Sequence, residues 1–362
     1  MSPEPVPPAW QPTMLVPRRD VGSELPPGTR LQDYVIESLV GVGGFSIVYR
    51  ARDLRLGRAV ALKEYIPAAL ATRGPGGQVV ARGPRHAPHF EAGLAGFIDE
   101  ARLLAAFDHP ALVKVFHFWA ANGSAYMVMP FYEGLTLRKW LVSLGTPPSE
   151  AWLRALAEEL TGALDVLHRE RCFHRDVAPD NVLLLVDPRA GRYLEQRPRP
   201  LLLDFGAARR VISEATQDLT AILKPGYSPI EQYAGEVAMR QGPWTDVYAL
   251  AAVLYLAAVG RVPPSSIARA ARDDLVPARV AAAGRYSEAF LAAIDAGLAV
   301  SPQARPQSMA EFAGRLSGLV MPPPPPPPPP PLPLPSPPPS TAPGAAATWP
   351  ARAAAWWRRH FR

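Results

Sequence analysis

The sequence predicts an α+β fold, in which strands dominate the part before Gly134 and helices dominate the part after it. Three observations point there. First, the apolar and β-branched runs Tyr34–Val40 and Ala59–Lys63 have the pattern of short strands, the first leading into a glycine-rich turn. Second, Trp152, Leu153, Leu156, Leu160, Ala163, Leu164 and Leu167 recur at helical spacing over residues 149–170. Third, the apolar segment Tyr248–Val262 is too short to span a bilayer and reads as a core helix. A chain of 362 residues has room for one large two-lobed domain or two ordinary ones.

Composition narrows the classes. Hydrophobic content of 48% with 19% charged residues is ordinary for a globular enzyme. Proline is not ordinary: 45 of 362 residues, about 12%, against about 5% in average usage. The single cysteine, Cys172, excludes an internal disulfide framework, fits a reducing compartment and reads as a small buried hydrophobe. Residues 1–16 lack a basic start followed by an apolar run, so no secretory signal is expected. No run of 18 apolar residues predicts a spanning helix, and a cytoplasmic location is expected. The formal charge is +6, but Arg352, Arg358, Arg359 and Arg362 supply four charges from the tail. The near-neutral body argues against nucleic acid as a partner.

The stretch that organises the chain is His174-Arg175-Asp176-Val177-Ala178-Pro179-Asp180-Asn181, preceded by a run from Ala163 to Phe173 that reads as a helix ending in a short strand. Further on, Leu201-Leu202-Leu203 leads into Asp204-Phe205-Gly206. Transfer of a phosphoryl group needs a carboxylate to orient the attacking hydroxyl and oxygen ligands for Mg²⁺. The order H-R-D-x-x-x-x-N followed by D-F-G resembles the catalytic core of the protein kinase superfamily. The resemblance implies a bilobal fold, with a small antiparallel β lobe carrying one main helix and a larger, mostly helical lobe. It also implies ATP and Mg²⁺ as cofactors, Asp176 as catalytic base, and Asn181 and Asp204 as metal ligands.

Taken in order, residues 1–30 are proline-rich and read as a disordered leader. After the first strand comes Gly41-Val42-Gly43-Gly44-Phe45-Ser46-Ile47-Val48. Glycines at this density let a backbone approach a polyanion closely. The run resembles the kinase glycine-rich loop, with Ser46 in place of its third glycine and Val48 placed over adenine. Lys63 ends an apolar strand that also carries Ala61, and a lysine there is costly to bury unless paired. Glu100, in a helical pattern with Phe97, Ala101 and Leu104, is the candidate partner, and together they are expected to fix the α- and β-phosphates. The interval between Lys63 and Glu100 is longer than usual. It opens Lys63-Glu64-Tyr65-Ile66-Pro67 and resembles a bacterial subgroup of eukaryotic-like serine/threonine kinases with an inserted hairpin at this point. His86 and His89 read as surface residues. Asp108–Pro110 and the alternating Leu112–Phe116 predict a turn and a strand. By the same resemblance Met129 is the gatekeeper, and the backbone of Phe131 and Tyr132 holds adenine.

In the helical half, residues 187–200 read as a polar surface hairpin. Gly226–Glu231 resembles the A-P-E segment, with Ile230 at its proline position; the resemblance implies that Glu231 pairs with Arg305 and that Asp246 braces the catalytic loop. The kinase domain is expected over residues 31–318. One expected residue is missing: the lysine of H-R-D-x-K-P-x-N is Ala178. Either the kinase is weakened, at the extreme a pseudokinase scaffold, or Lys224 supplies the cation from seven residues before Glu231. Replacement is favoured, because Lys63, Glu100, Asp176, Asn181 and Asp204 are all intact. Arg175 is suited to a phosphorylated residue among Ser213, Thr216 and Thr220. Alanine at position 178 also occurs in tyrosine kinases, so serine/threonine specificity is expected with tyrosine left open.

Residues 319–345 read as a polyproline linker, with unbroken proline from Pro322 to Pro331. A stiff spacer is the simpler reading and a ligand for a proline-binding domain at 322–335 the other. Over 346–362, Trp349, Trp356, Trp357 and Phe361 mix with arginines and no acid, which suits either a disordered end or an anionic membrane surface. Protein substrates are the expected partners.

Overall fold

The structure is a computed structural model that describes residues 23–185, 198–204, 223–233 and 239–318. Phe205, Gly206, Ser213, Thr216, Thr220, most of the polar hairpin, the polyproline linker and the basic-aromatic tail lie outside the described residues.

The first lobe is a six-stranded antiparallel sheet in the order β1-β2-β3-β4-β8-β7. Its strands are β1 (Arg30–Leu31), β2 (Tyr34–Val42), β3 (Ser46–Asp53), β4 (Arg58–Tyr65), β7 (His117–Ala121) and β8 (Ser124–Pro130). Residues of β3 alternate between buried and less buried, the period of two that one buried face demands. The sheet curls until Tyr34 on β2 stacks on Trp119 on the far strand β7, with ring centroids 5.7 Å apart. The inserted hairpin expected after Lys63 is formed by β5 (Ala71–Arg73) and β6 (Val79–Ala81). The main helix α1 (Ala87–Ala106) starts at a proline and buries Phe90, Phe97, Glu100, Ala101 and Leu104 along one stripe.

Two expectations in this lobe are corrected. Leu112–Phe116 is not a strand: Leu112 makes only an isolated parallel bridge to Leu202, and regular pairing starts at His117. The consecutive residues Leu112 and Val113 are both buried, which the alternation of a strand with one buried face does not allow. Residues 23–30, expected within the leader, include contacts to this lobe and the start of β1. Arg73 Nε donates to the Ser23 carbonyl at 2.8 Å, and Leu25 N–H donates to the Tyr49 hydroxyl at 3.0 Å.

Those contacts surround Glu64, which is fully buried. Its carboxylate accepts from Arg73 at 2.6 Å, the Tyr126 hydroxyl at 2.9 Å and the Tyr49 hydroxyl at 3.1 Å. A buried carboxylate persists only when paired and hydrogen-bonded in this way. Burial and the Glu64 charge push the Tyr126 hydroxyl up to about 12. The hairpin also leans on the β7–β8 turn, where Val79 N–H donates to Asn122 O at 2.8 Å. Gly123 in that turn has φ +67°, and a Cβ there would collide with the Val79 carbonyl. Gly123→Ala is expected to destabilise the protein by about 1–3 kcal/mol, read as a lower urea midpoint with unchanged slope.

The second lobe is built on α2 (Leu137–Leu144), α3 (Glu150–Arg169), α4 (Ile230–Tyr233), α5 (Pro243–Val259), α6 (Ser266–Ala271), α7 (Ala278–Ala281), α8 (Glu288–Gly297) and α9 (Met309–Ser317). Ser149 caps α3 by accepting from Trp152 N–H. Every residue of α5 from Thr245 to Ala258 is buried, which makes it the core helix its apolar sequence predicted. It spans 243–259 rather than 248–262, ended by Gly260 in the left-handed region. β9 (Gly134–Thr136), β10 (Val182–Leu185) and β11 (Pro200–Leu202) form a small antiparallel sheet with β10 in the middle. No strand forms between α3 and His174; instead the N–H groups of Glu170, Arg171 and Cys172 turn back onto the Leu167 and His168 carbonyls at the end of α3.

Candidate active site

Lys63, on β4, is 6% exposed, so its ammonium must be paired. It donates to Glu100 Oε1 at 3.1 Å and to Asp204 Oδ1 at 2.5 Å. Burial alone would lower the lysine, but the Asp204 and Glu100 carboxylates outweigh it and hold its pKa above the ordinary value. Strand β4 and helix α1 thus deliver the two residues the sequence paired, and the end of β11 delivers the third.

The pairing of β10 with β11 brings Asn181 to Leu203, the neighbour of Asp204. Val182 lies opposite Leu202, and one residue out, Leu203 N–H donates to Asn181 O at 2.7 Å. Asn181 Nδ2 donates to the Asp176 carbonyl at 2.8 Å and to Asp176 Oδ2 at 2.6 Å. The amide oxygen of Asn181 therefore faces away from Asp176. With Asp204 it offers two hard oxygen donors, and Mg²⁺ is usually held by one or two protein carboxylates plus water and substrate phosphates. Among the described residues no group of three or more His, Cys, Asp or Glu could hold a metal by themselves. The donor set fits Mg²⁺ brought in with phosphates. Asp204 and Arg175 have φ of +52° and +65°, a conformation non-glycine residues adopt only when their surroundings impose it.

Lys224 comes to the same carboxylate. Its Nζ stands 3.1 Å from Asp176 Oδ1 and 3.3 Å from Oδ2. A turn holds its backbone, with Tyr227 and Ser228 N–H both donating to Lys224 O at 3.0 Å. Ala178 is fully buried.

Asp246, at the first turn of α5, receives His174 N–H at 2.8 Å and Arg175 N–H at 2.7 Å, and lies 2.7 Å from His168 Nε2. Although burial would raise it, His168 and these donors hold the Asp246 carboxyl below the usual range. Burial lowers the His174 pKa, outweighing the Asp246 and Asp176 charges. An unfolded histidine takes a proton near 6.5 that the folded His174 refuses, so stability is expected to fall as pH drops below 6.5. The limit for one such group is about 1.4 kcal/mol per pH unit. Urea midpoints at several pH values test this, and His174→Gln with an equally steep slope would contradict it. Cys172 is half-buried, and burial pushes its thiol up to about 11, which agrees with an inert hydrophobe.

A cavity of about 540 Å³ opens beside Lys63. Val48, Ala61, Met129, Phe131, Tyr132, Glu100 and Asp204 line it as the sequence suggested. Val40, Val113, Met127, Leu183 and Leu203 also line it and were missed. Leu183 had a signal, an apolar residue two positions after Asn181 on a strand, whereas Val40 enters from β2 and Val113 from the irregular segment before β7, which no local pattern marks. Gly41 and Val42 end β2, Gly43, Gly44 and Phe45 form the turn and Ser46 begins β3; none of the six lines the cavity. Gly41 and Gly44 lie outside the left-handed region, and a Cβ on either would meet nothing within 4 Å. The chain's own packing does not demand glycine there, and the open backbone fits the close approach of a ligand.

The protein kinase domain model matches residues 34–311. The chain belongs to the protein kinase family. The chain of this kinase is 42% identical to the solved structure of PpkA-294 in its apo form, with a TM-score of 0.72 over 81% of this chain and 99% of that one. The PknI kinase domain of Mycobacterium tuberculosis, at 21% identity and a TM-score of 0.57, shares the fold over 82% of this chain and 100% of that one. Among curated relatives, the serine/threonine-protein kinase PknB of Mycobacterium tuberculosis is 30% identical over 296 residues, 78% of this chain and 42% of that protein. The serine/threonine-protein kinase pkn2 of Myxococcus xanthus is 31% identical over 229 residues, 62% of this chain and 24% of that protein. The chain therefore spans under half the length of these two relatives. Among the described residues no helix is long and apolar enough to cross a membrane.

Proposed function

We propose that the kinase transfers the γ-phosphate of ATP to serine or threonine hydroxyls of proteins. The observation that carries this is the convergence of Lys63, Glu100 and Asp204 in one ion-paired cluster, beside a second one made by Asp176, Asn181 and Lys224. Lys63, held by Glu100, binds the α- and β-phosphates, while Phe131 and Tyr132 hold adenine by their backbone in the cavity. Asn181 and Asp204 hold Mg²⁺, which when bound offsets charge on the phosphates. Asp176 orients the attacking hydroxyl and takes its proton. Lys224 places an ammonium at the same carboxylate, where the resemblance expects a lysine at position 178. Its neighbours along Gly226–Glu231 offer a peptide platform, which favours protein over small-molecule substrates.

The test is incubation of the purified chain with Mg²⁺ and γ-labelled ATP, alone and with a generic protein substrate, followed by identification of the phosphorylated residues. Phosphoserine or phosphothreonine is expected, and none from Lys63→Met. Tight nucleotide binding without transfer would instead support a scaffold.

A further inference from the structure

The segment after Lys63 meets the tip of the glycine-rich loop. Ile66 N–H donates to Phe45 O at 3.0 Å, and Ala68 N–H donates to Gly44 O at 3.1 Å. Just before them the β3–β4 ladder pairs Ser46 with Tyr65. The tip of a hairpin loop ordinarily turns such carbonyls to water; here two consecutive ones are taken by a third strand's extension.

That extension is itself fixed. Ile66, Pro67 and Leu70 are buried, and Leu70 N–H closes a turn onto Pro67 O at 2.9 Å. Tyr65 donates its hydroxyl to Phe90 O on α1 at 3.1 Å and accepts at its carbonyl from Ser124 Oγ. On the other side Glu64 is locked by Arg73, Tyr49 and Tyr126.

We propose that Tyr65–Leu70 is a clamp that sets the glycine-rich loop before nucleotide arrives, with the Ala68 backbone N–H as a positioning group for the phosphate site. The inference rests on the nucleotide-binding role given above. A loop ordered in advance spends less conformational entropy on binding, so the clamp raises affinity for the phosphates. It also accounts for Ser46: a residue paired in a β ladder with Tyr65 has no need of glycine's freedom.

Ala68 permits a clean test. It is exposed and occupies the second position of the Pro67–Leu70 turn, where proline is favoured, so Ala68→Pro removes the donor and keeps the turn. Ala68→Ser retains the N–H and is the control. In the full-length chain, Ala68→Pro is expected to speed hydrogen exchange at residues 43–46. It is also expected to weaken binding of Mg-ATP roughly five-fold, the scale of one hydrogen bond, raising KM for ATP with kcat nearly unchanged. Unchanged exchange and affinity in Ala68→Pro, or equal changes in Ala68→Ser, would overturn the clamp. A second measurement needs no variant: the wild-type Ala68 amide is expected to be protected from exchange although the residue is exposed. Rapid exchange there would overturn the proposal even if Ala68→Pro does not fold. If wild-type protein fails to bind Mg-ATP, the nucleotide role falls, while exchange at residues 43–46 still decides whether the segment orders the loop.

Discussion

Lys224→Ala is expected to lower kcat for phosphotransfer by about 10²–10³, the scale of removing one preorganised electrostatic group. The side chain comes from a loop far along the chain, yet its ammonium lies 3.1 Å from Asp176 Oδ1. Asp176→Asn is expected to cost about 10²–10⁴, the range for a positioned general base. Because the two side chains touch, their effects are not independent. The double variant is expected to lose much less than the product of the single losses. Lys224→Arg, which keeps the charge but changes its geometry, is expected to fall between. Single-turnover phosphotransfer at saturating ATP separates these rates from binding. Full transfer in Lys224→Ala would end the idea that this lysine stands in for the one absent at Ala178.

Glu231→Ala is expected to destabilise the protein by about 3–5 kcal/mol, the cost of leaving a buried charge without its partner. Arg305 and Glu231 are both fully enclosed, joined by bonds of 2.7 and 3.1 Å, with Thr245 Oγ1 also donating to Glu231 at 3.0 Å. Arg305 further donates to Ala299 O and Val300 O, so the pair ties the segment after Lys224 to the loop before α9. Denaturant unfolding of the single variant measures the loss. Replacing Glu231 and Arg305 together by leucine and methionine is expected to recover a large part of it, because no lone charge remains. Equal losses in single and double variants would show that shape, not charge, dominates this site.

The sequence alone marked the candidate residues for the chemistry. Lys63, Glu100, Asp176, Asn181 and Asp204 stand in runs whose spacing and types are hard to produce otherwise, and local periodicity placed α3, α5 and β4 within a few residues. It did not determine the packing of Leu112–Phe116, whose alternation suits a strand but where Leu112 and Val113 are both buried, Leu112 bridging to Leu202, while Phe116 stays exposed. Nor did it show that Glu64, one residue past Lys63, would be enclosed with Arg73 and two tyrosines, or that Ser23 and Leu25 would belong to that cluster. Lys224 lies between: its residue type and position suggested a role, but only the fold brought its ammonium to Asp176. Short-range pattern records which face of a strand or helix is apolar. Which distant segment covers that face, and which buried charge meets which partner, is decided by the tertiary structure, because burial sets the cost of every unpaired group at once.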